Sequence, residues 1–410
     1  MMKEYFNTLA KGIEEQITQG ITLSPRKQYA FEIAKFGQRL YSGEHLVAWT
    51  GVLAPFELLN AMGVTSCFVE FIGAMLASTG FAPSFIEEAE HKGFGTDMCS
   101  YHRTILGAQM KGLMPEPKFL VATSCPCTGG LAVMENLAQQ FNKALFVLHI
   151  PQEETAQNVA YFAKQIEALH GFIAQQTGVP MDMTKLSEAI VNLNKTREIL
   201  LEMYDITRSV PSPVAGNDLA NYAYIINLLA GTKSAVELAT AFRDMFAERV
   251  KNGVGGIPTE KFRLLWIQNR VQFKNPLVKF LEEEHHTAIV IDEMNCVTWD
   301  WIDPENPYEG IARRIISNPF NGPAQRRVEH LKKLARDYHV DGAINPCNWG
   351  CRQGTGARGI TASGLKSVGV PVLNLEMDCV DSRNFFEGQL KTRISAFIEM
   401  LENRKETLNG

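Results

Sequence analysis

Eight cysteines are the residues of this 410-residue chain best suited to do chemistry, because of where they sit. Cys125 and Cys127 form a Cys-Pro-Cys in LVATSCPCTGG, and Cys347 and Cys351 form a C-x3-C in AINPCNWGCRQG. Each pair comes after a short apolar run that reads as a β-strand and before a segment that reads as a helix. Thiolates at strand ends, facing one crevice, suit soft iron better than a disulfide staple. The other four are Cys67, Cys99, Cys296 and Cys379. Cys296 closes the run AIVIDEMNC and Cys379 closes PVLNLEMDC. Cys99 opens a helical pattern at DMCSYHRTILG, where free N–H groups and the helix dipole favour thiolate. Cys67 lies inside a predicted strand and has two readings, a small buried core residue or a ligand.

Three metal readings compete. Structural zinc takes four ligands, usually in C-x2–4-C pairs. The C-x3-C fits that rule, but C-x-C is tight and eight thiols leave too many over. The close C-x2-C runs of ferredoxins are absent. A cluster assembled from distant segments is the third, and it stands against a set of scattered buried thiols.

The elements that must position these thiols alternate in the first third. HLVAWTG, VTSCFVE, KFLVATSC and ALFVLHIP read as strands. PFELLNAMG, residues 81–92, residues 100–112 and GGLAVMENLAQQF read as helices. Such alternation implies a parallel sheet covered on both faces. From about Glu153 the pattern becomes helical, which reads as a layer linking two α/β domains or as a lid over a pocket. After the linker VKNGVGGIPTEK, strand candidates return at FRLLWIQ, AIVIDEMN, DGAINP and VPVLNLEMD. The expected division is an α/β domain at 1–152, a helical segment at 153–258 and a second α/β domain at 259–410. No fixed-period repeat relates the two α/β parts.

Composition narrows the class. Hydrophobic residues make up 45% and charged residues 21%, as in a globular protein. The net charge of −5 gives no global reason to expect nucleic acid or an anionic membrane as partner. No apolar run reaches membrane-span length, and the first residues read as an amphipathic surface helix. A cytoplasmic protein with reduced or metal-bound thiols is expected.

On these segments the chain resembles the 2-hydroxyacyl-CoA dehydratase and benzoyl-CoA reductase family of iron–sulfur proteins. The resemblance starts at APFELLNAMGV with Pro55, Glu57, Ala61 and Gly63, and runs through CSYHRTILGA, ATSCPCTGGLAVME and INPCNWGCRQ. It closes at LEMDCVDSRNFFEGQLKTRISAFIEML with Glu376, Asp378, Arg383 and Arg393. The resemblance implies two flavodoxin-like domains with a 4Fe–4S cluster between them, held by Cys99, Cys125 and Cys351. It also implies a separate ATP-hydrolysing iron–sulfur activator protein and a dimer, homodimeric here or heterodimeric in a dehydratase. Cys127 and Cys347 are surplus to that pattern and are similar to the double-cubane branch, whose 8Fe–9S cluster needs about six thiolates. Cys379 and Cys296 rank ahead of Cys67 for the sixth place. The expected activity is a low-potential iron–sulfur reductase of anaerobic metabolism acting on a small molecule. The alternative is an (R)-2-hydroxyacyl-CoA dehydratase or benzoyl-CoA reductase-like subunit with one cluster. A cluster-bearing electron carrier is a third reading.

Four polar residues flank the expected ligands. His102 and Arg103 follow Cys99, and Arg352 and Gln353 follow Cys351. A guanidinium or amide at a cluster sulfide raises its potential and can donate to substrate, so these are the catalytic candidates; structural roles are the alternative. GITASGLKS misses the phosphate-loop pattern because Leu365 separates Gly364 from Lys366. Glu282–Glu284 with His285 and His286 reads as a solvated run, and Trp299 and Trp301 read as packing residues.

Overall fold

The apolar runs form two parallel sheets of four strands each in a computed structural model that describes residues 2–216 and 218–409. In the first, β1 (Leu46–Thr50), β2 (Val64–Phe68), β3 (Phe119–Thr123) and β4 (Leu145–Leu148) lie in the order β2-β1-β3-β4. In the second, β5 (Phe262–Trp266), β6 (Thr287–Asp292), β7 (Gly342–Asn348) and β8 (Val372–Met377) lie in the order β6-β5-β7-β8. The two orders are the same permutation, that of flavodoxin-like doubly wound sheets. A duplication with no visible sequence period is thus plain in the topology.

Strand chemistry follows from coverage of both faces. Every residue of β3 and β5 is buried, which is why these strands read as unbroken apolar runs. Alternation survives as a choice of core. Phe262 and Leu264 of β5 face the C-terminal helix Glu387–Asn409, with Leu390, Ile394 and Ile398. Leu265 points to the opposite face, into the larger core shared with the first sheet.

The middle of the chain is a packed layer. Helices Ala156–Thr177, Met183–Thr207 and Lys233–Lys251 start at Thr155, Asp182 and Thr232, whose side chains accept capping N–H bonds. Their apolar faces, with Ile166, Leu200, Met203 and Phe242, belong to the larger core. Helix Ala156–Thr177 packs on Pro307–Ile316, and Met183–Thr207 packs on Phe56–Ala61. The segment thus packs against elements of both α/β parts. A buried pair also joins the two halves. Glu57, with no exposure, receives Arg314 Nη2 at 2.7 Å on one oxygen and Arg314 Nε at 3.2 Å on the other.

Several expectations need correction. β2 stops at Phe68, and helix Val69–Ser78 takes over the residues expected to extend it, because EFIGAMLAS repeats apolar residues at helical spacing. β6 ends at Asp292, so Cys296 lies four residues beyond a strand end. Cys347 lies within β7, paired with Glu376, because the strand runs on to Asn348. GITASGLKS, which misses the phosphate-loop pattern, needs no correction: it is helical as expected, inside Arg352–Lys366 except for its last residue. Glu283 and Glu284 are exposed, whereas Glu282 is half-buried and accepts the Gly216 N–H at 2.5 Å. Trp299 is buried as expected, but Trp301 is exposed. Among the described residues, no helix is long and apolar enough to cross a membrane.

Candidate metal centre

In a doubly wound sheet the crevice opens at the carboxyl ends of the two central strands, where the connections diverge. Those strands are β1 and β3 in one sheet and β5 and β7 in the other. Cys125 and Cys127 follow β3, and Cys351 follows β7. Cys127 is the N-cap of helix Thr128–Phe141, Cys351 that of Arg352–Lys366, and Cys99 that of Ser100–Met110. Three thiols thus sit at three helix N-termini, where unpaired N–H groups and the dipole favour anionic sulfur. The backbone N–H groups of Tyr101 and His102 lower the Cys99 thiol against its burial, though neither closes a capping hydrogen bond to its sulfur. The Gly354 N–H donates to Cys351 Sγ at 3.4 Å.

Electrostatics links these sulfurs. Burial pushes the Cys99 thiol well up, and the charges of Cys351 and Cys127 add to it. Cys351 is also raised, by burial and then by Cys127, against the opposing Gly354 bond. Cys125 is pushed up to about 11 by burial and by Cys127. Cys379 rises through burial, Asp378, Cys351 and Cys99. Cys347 stands one step further out. Its thiol faces Asn345 O and Asn374 Oδ1, each at 3.7 Å, and it acts on Cys379. Cys296 is not brought in: its thiol donates to Asp292 O at 3.2 Å, and the charges on it come from Asp292, Glu293 and Lys333. Cys67 is buried in β2, with Tyr41 as its neighbour.

The thiols are the side chains of this cleft suited to a soft metal. Among the described residues, no three His, Cys, Asp or Glu side chains are placed to hold one metal ion. Tetrahedral zinc, with Zn–S about 2.3 Å, needs its sulfurs about 3.8 Å apart. These thiols act on one another through their charges, with no ion-sized grouping of three ligands among the described residues. Each discourages its neighbour from ionising, and a cationic centre removes that penalty for all of them.

The two halves meet directly at the site. Ser100 Oγ donates to Asp378 Oδ1 at 2.7 Å, and Gln272 Nε2 donates to Tyr101 OH at 3.1 Å. The turn before Cys351 presses on the segment before Cys99. Gly350 has φ +73°, and a Cβ there would lie 2.5 Å from Met98 O and 2.7 Å from Cys99 N. Both neighbours are backbone, so neither yields cheaply. Gly350→Ala is expected to cost about 2–4 kcal/mol in chemical denaturation, combining left-handed strain with a clash. A stability equal to the wild type would show that this contact is loose.

The flanking candidates occupy other places than expected. His102 is buried, with Nε2 3.1 Å from Glu70 Oε1, and the helix of Gly129 and Gly130 packs on its ring. Arg103 is buried and committed to Met98 O at 3.1 Å, Glu90, and Asp378 at 4.0 Å. Arg352 is exposed. Gln353 donates to Phe320 O at 3.0 Å, the carbonyl that also faces Cys125 Sγ at 3.7 Å. The residue that sequence reasoning misses is Gln268, just past β5, whose Nε2 donates to Cys351 Sγ at 3.4 Å. Its only sequence signal is its place two residues beyond a buried strand.

Comparison with known proteins places this site in a family. Residues 52–401 match the family model described as 2-hydroxyglutaryl-CoA dehydratase, D-component. The chain is 25% identical to the alpha subunit of lactoyl-CoA dehydratase of Anaerotignum propionicum over 384 residues, covering 87% of this chain and 91% of that one. It is 26% identical to the (R)-phenyllactyl-CoA dehydratase alpha subunit of Clostridium sporogenes over 374 residues, 88% of this chain and 90% of that one. It is 24% identical to the (R)-2-hydroxyisocaproyl-CoA dehydratase alpha subunit of Clostridioides difficile over 382 residues, 89% of this chain and 92% of that one.

Proposed function

The chain belongs to the 2-hydroxyglutaryl-CoA dehydratase D-component family, and from that premise we propose that its thiol cleft holds an iron–sulfur centre of the double-cubane type. The chain is an enzyme of this family, and in this reading it is a low-potential reductase of a small molecule. Electrons come from a separate ATP-hydrolysing activator, and two copies of the chain pair. When bound, the centre supplies low-potential electrons. Cys99, Cys127 and Cys351 hold it from three helix N-termini, and Cys125, Cys379 and Cys347 complete six thiolates. The helix N–H groups balance the anionic sulfurs, Cys347 and Cys379 are buried, and the other four thiols are partly exposed.

The observation that carries this reading is the surplus of thiols. The three capping cysteines alone are enough for a single cubane, and beside them Cys125 lies under the charge of Cys127 and Cys379 under those of Cys351 and Cys99. Iron and acid-labile sulfide counts test it. About eight irons per chain are expected, and about four would overturn the double cluster. A second reading is favoured by the relatives, three of which are named dehydratase alpha subunits and align over most of both chains. In that reading the chain acts on a 2-hydroxyacyl-CoA together with a partner subunit. About four irons, with turnover only when that subunit is added, is its signature.

A further inference from the structure

Gln268 combines features that packing alone does not explain. It is 4% exposed and holds a left-handed backbone, φ +61°, although it is not glycine. Such a conformation costs on the order of 1 kcal/mol and persists only where the surroundings enforce it. The enforcement is visible. The Gln268 N–H donates to Glu293 Oε2 at 3.0 Å. Glu293 is held in turn by Arg327, at 2.5 Å and 2.8 Å, in a buried ion pair. That frame turns the side-chain amide across the crevice to Cys351 Sγ at 3.4 Å. As a ligand the Cys351 sulfur would be a thiolate, which only accepts, and the amide presents its N–H end to it. The other end, Oε1, is buried without a hydrogen-bond partner. It lies against Gly354, where a Cβ would fall 2.0 Å from Oε1.

We propose that Gln268 is a positioning residue that sets the reduction potential of the centre held at Cys351, by donating its amide N–H to the ligating sulfur. The proposal rests on the iron–sulfur reading above. A hydrogen bond to a cluster sulfur stabilises the more negative, reduced state and so raises the potential. This is the role expected of Arg352 and Gln353, transferred to a residue from a different strand. The left-handed backbone is the cost of bringing the amide there.

Two variants test it. Gln268→Leu keeps the bulk and removes the donor. Gly354→Ala leaves the glutamine in place, but its methyl pushes the amide off Cys351, and a helix tolerates alanine well. Both are measured by redox titration of the reconstituted protein, followed by electron paramagnetic resonance. At a fixed ambient potential, the ratio of reduced to oxidised centre is expected to fall about tenfold in Gln268→Leu, equivalent to about 59 mV for one electron. Gly354→Ala is expected to shift it in the same direction, and it carries the test alone if the leucine variant does not fold. Wild-type iron content with an unchanged ratio in the folded variants overturns the proposal and leaves the cluster reading standing. A reconstituted wild-type chain that binds no iron overturns both.

Discussion

Serine in place of Cys99, Cys127 or Cys351 is expected to strip the chain of most of its iron and to lower turnover at least about a hundredfold. Each of these residues caps a different helix, so no neighbour can take its place without unwinding a turn. An alkoxide oxygen is also a poor donor to soft iron. Iron and sulfide per chain and the visible absorption of the reconstituted protein check the result. Cys296→Ser is the internal control. That thiol bonds Asp292 O and feels carboxylates and Lys333, so iron content is expected to be unchanged. Full iron in all three capping variants would remove the cleft as the metal centre.

Glu57→Ala is expected to destabilise the chain by about 3–5 kcal/mol in chemical denaturation, with the site residues untouched. Glu57 is fully buried and Arg314 nearly so, and the pair spans from helix Phe56–Ala61 to helix Pro307–Ile316. Removing the carboxylate leaves a guanidinium buried over the Trp299 ring without its counter-charge. The cost comes from that stranded charge, not from the worth of the pair itself. Replacing both partners, Glu57→Met with Arg314→Leu, is therefore expected to recover most of the loss. A double variant as unstable as the single one would show that the pair is worth more than its desolvation.

How far the chain explains itself differs from element to element. The central strands β3 and β5 are legible because each is buried along its whole length and carries an apolar run between turn residues. The helix after β2 is not, since Phe68 and Val69 join strand to helix with no glycine or proline between them. The thiols are legible as a set, because strand, turn and helix signals bracket them. Their ranks are less so. The resemblance implies Cys125 as a ligand, and the structure adds that Cys127 caps the following helix and acts on Cys99 and Cys351, which periodicity does not show. His102 and Arg103 follow Cys99 in sequence, and their partners Glu70 and Glu90 are not legible there, because a helix turns successive side chains about 100° apart. Gln268 is beyond reach, because its meaning lies in a backbone conformation and in a partner 83 residues away.

The three capping cysteines are divided unequally between the repeated sheets: Cys99 and Cys127 come from the first half and Cys351 from the second. Any occupant that touches all three is therefore a cross-link between the halves, added to the packed helices and polar contacts that already join them. Its binding free energy adds directly to the stability of the closed arrangement, by mass action. Neither half can retain the occupant alone, so loading reports that both sheets have folded and docked.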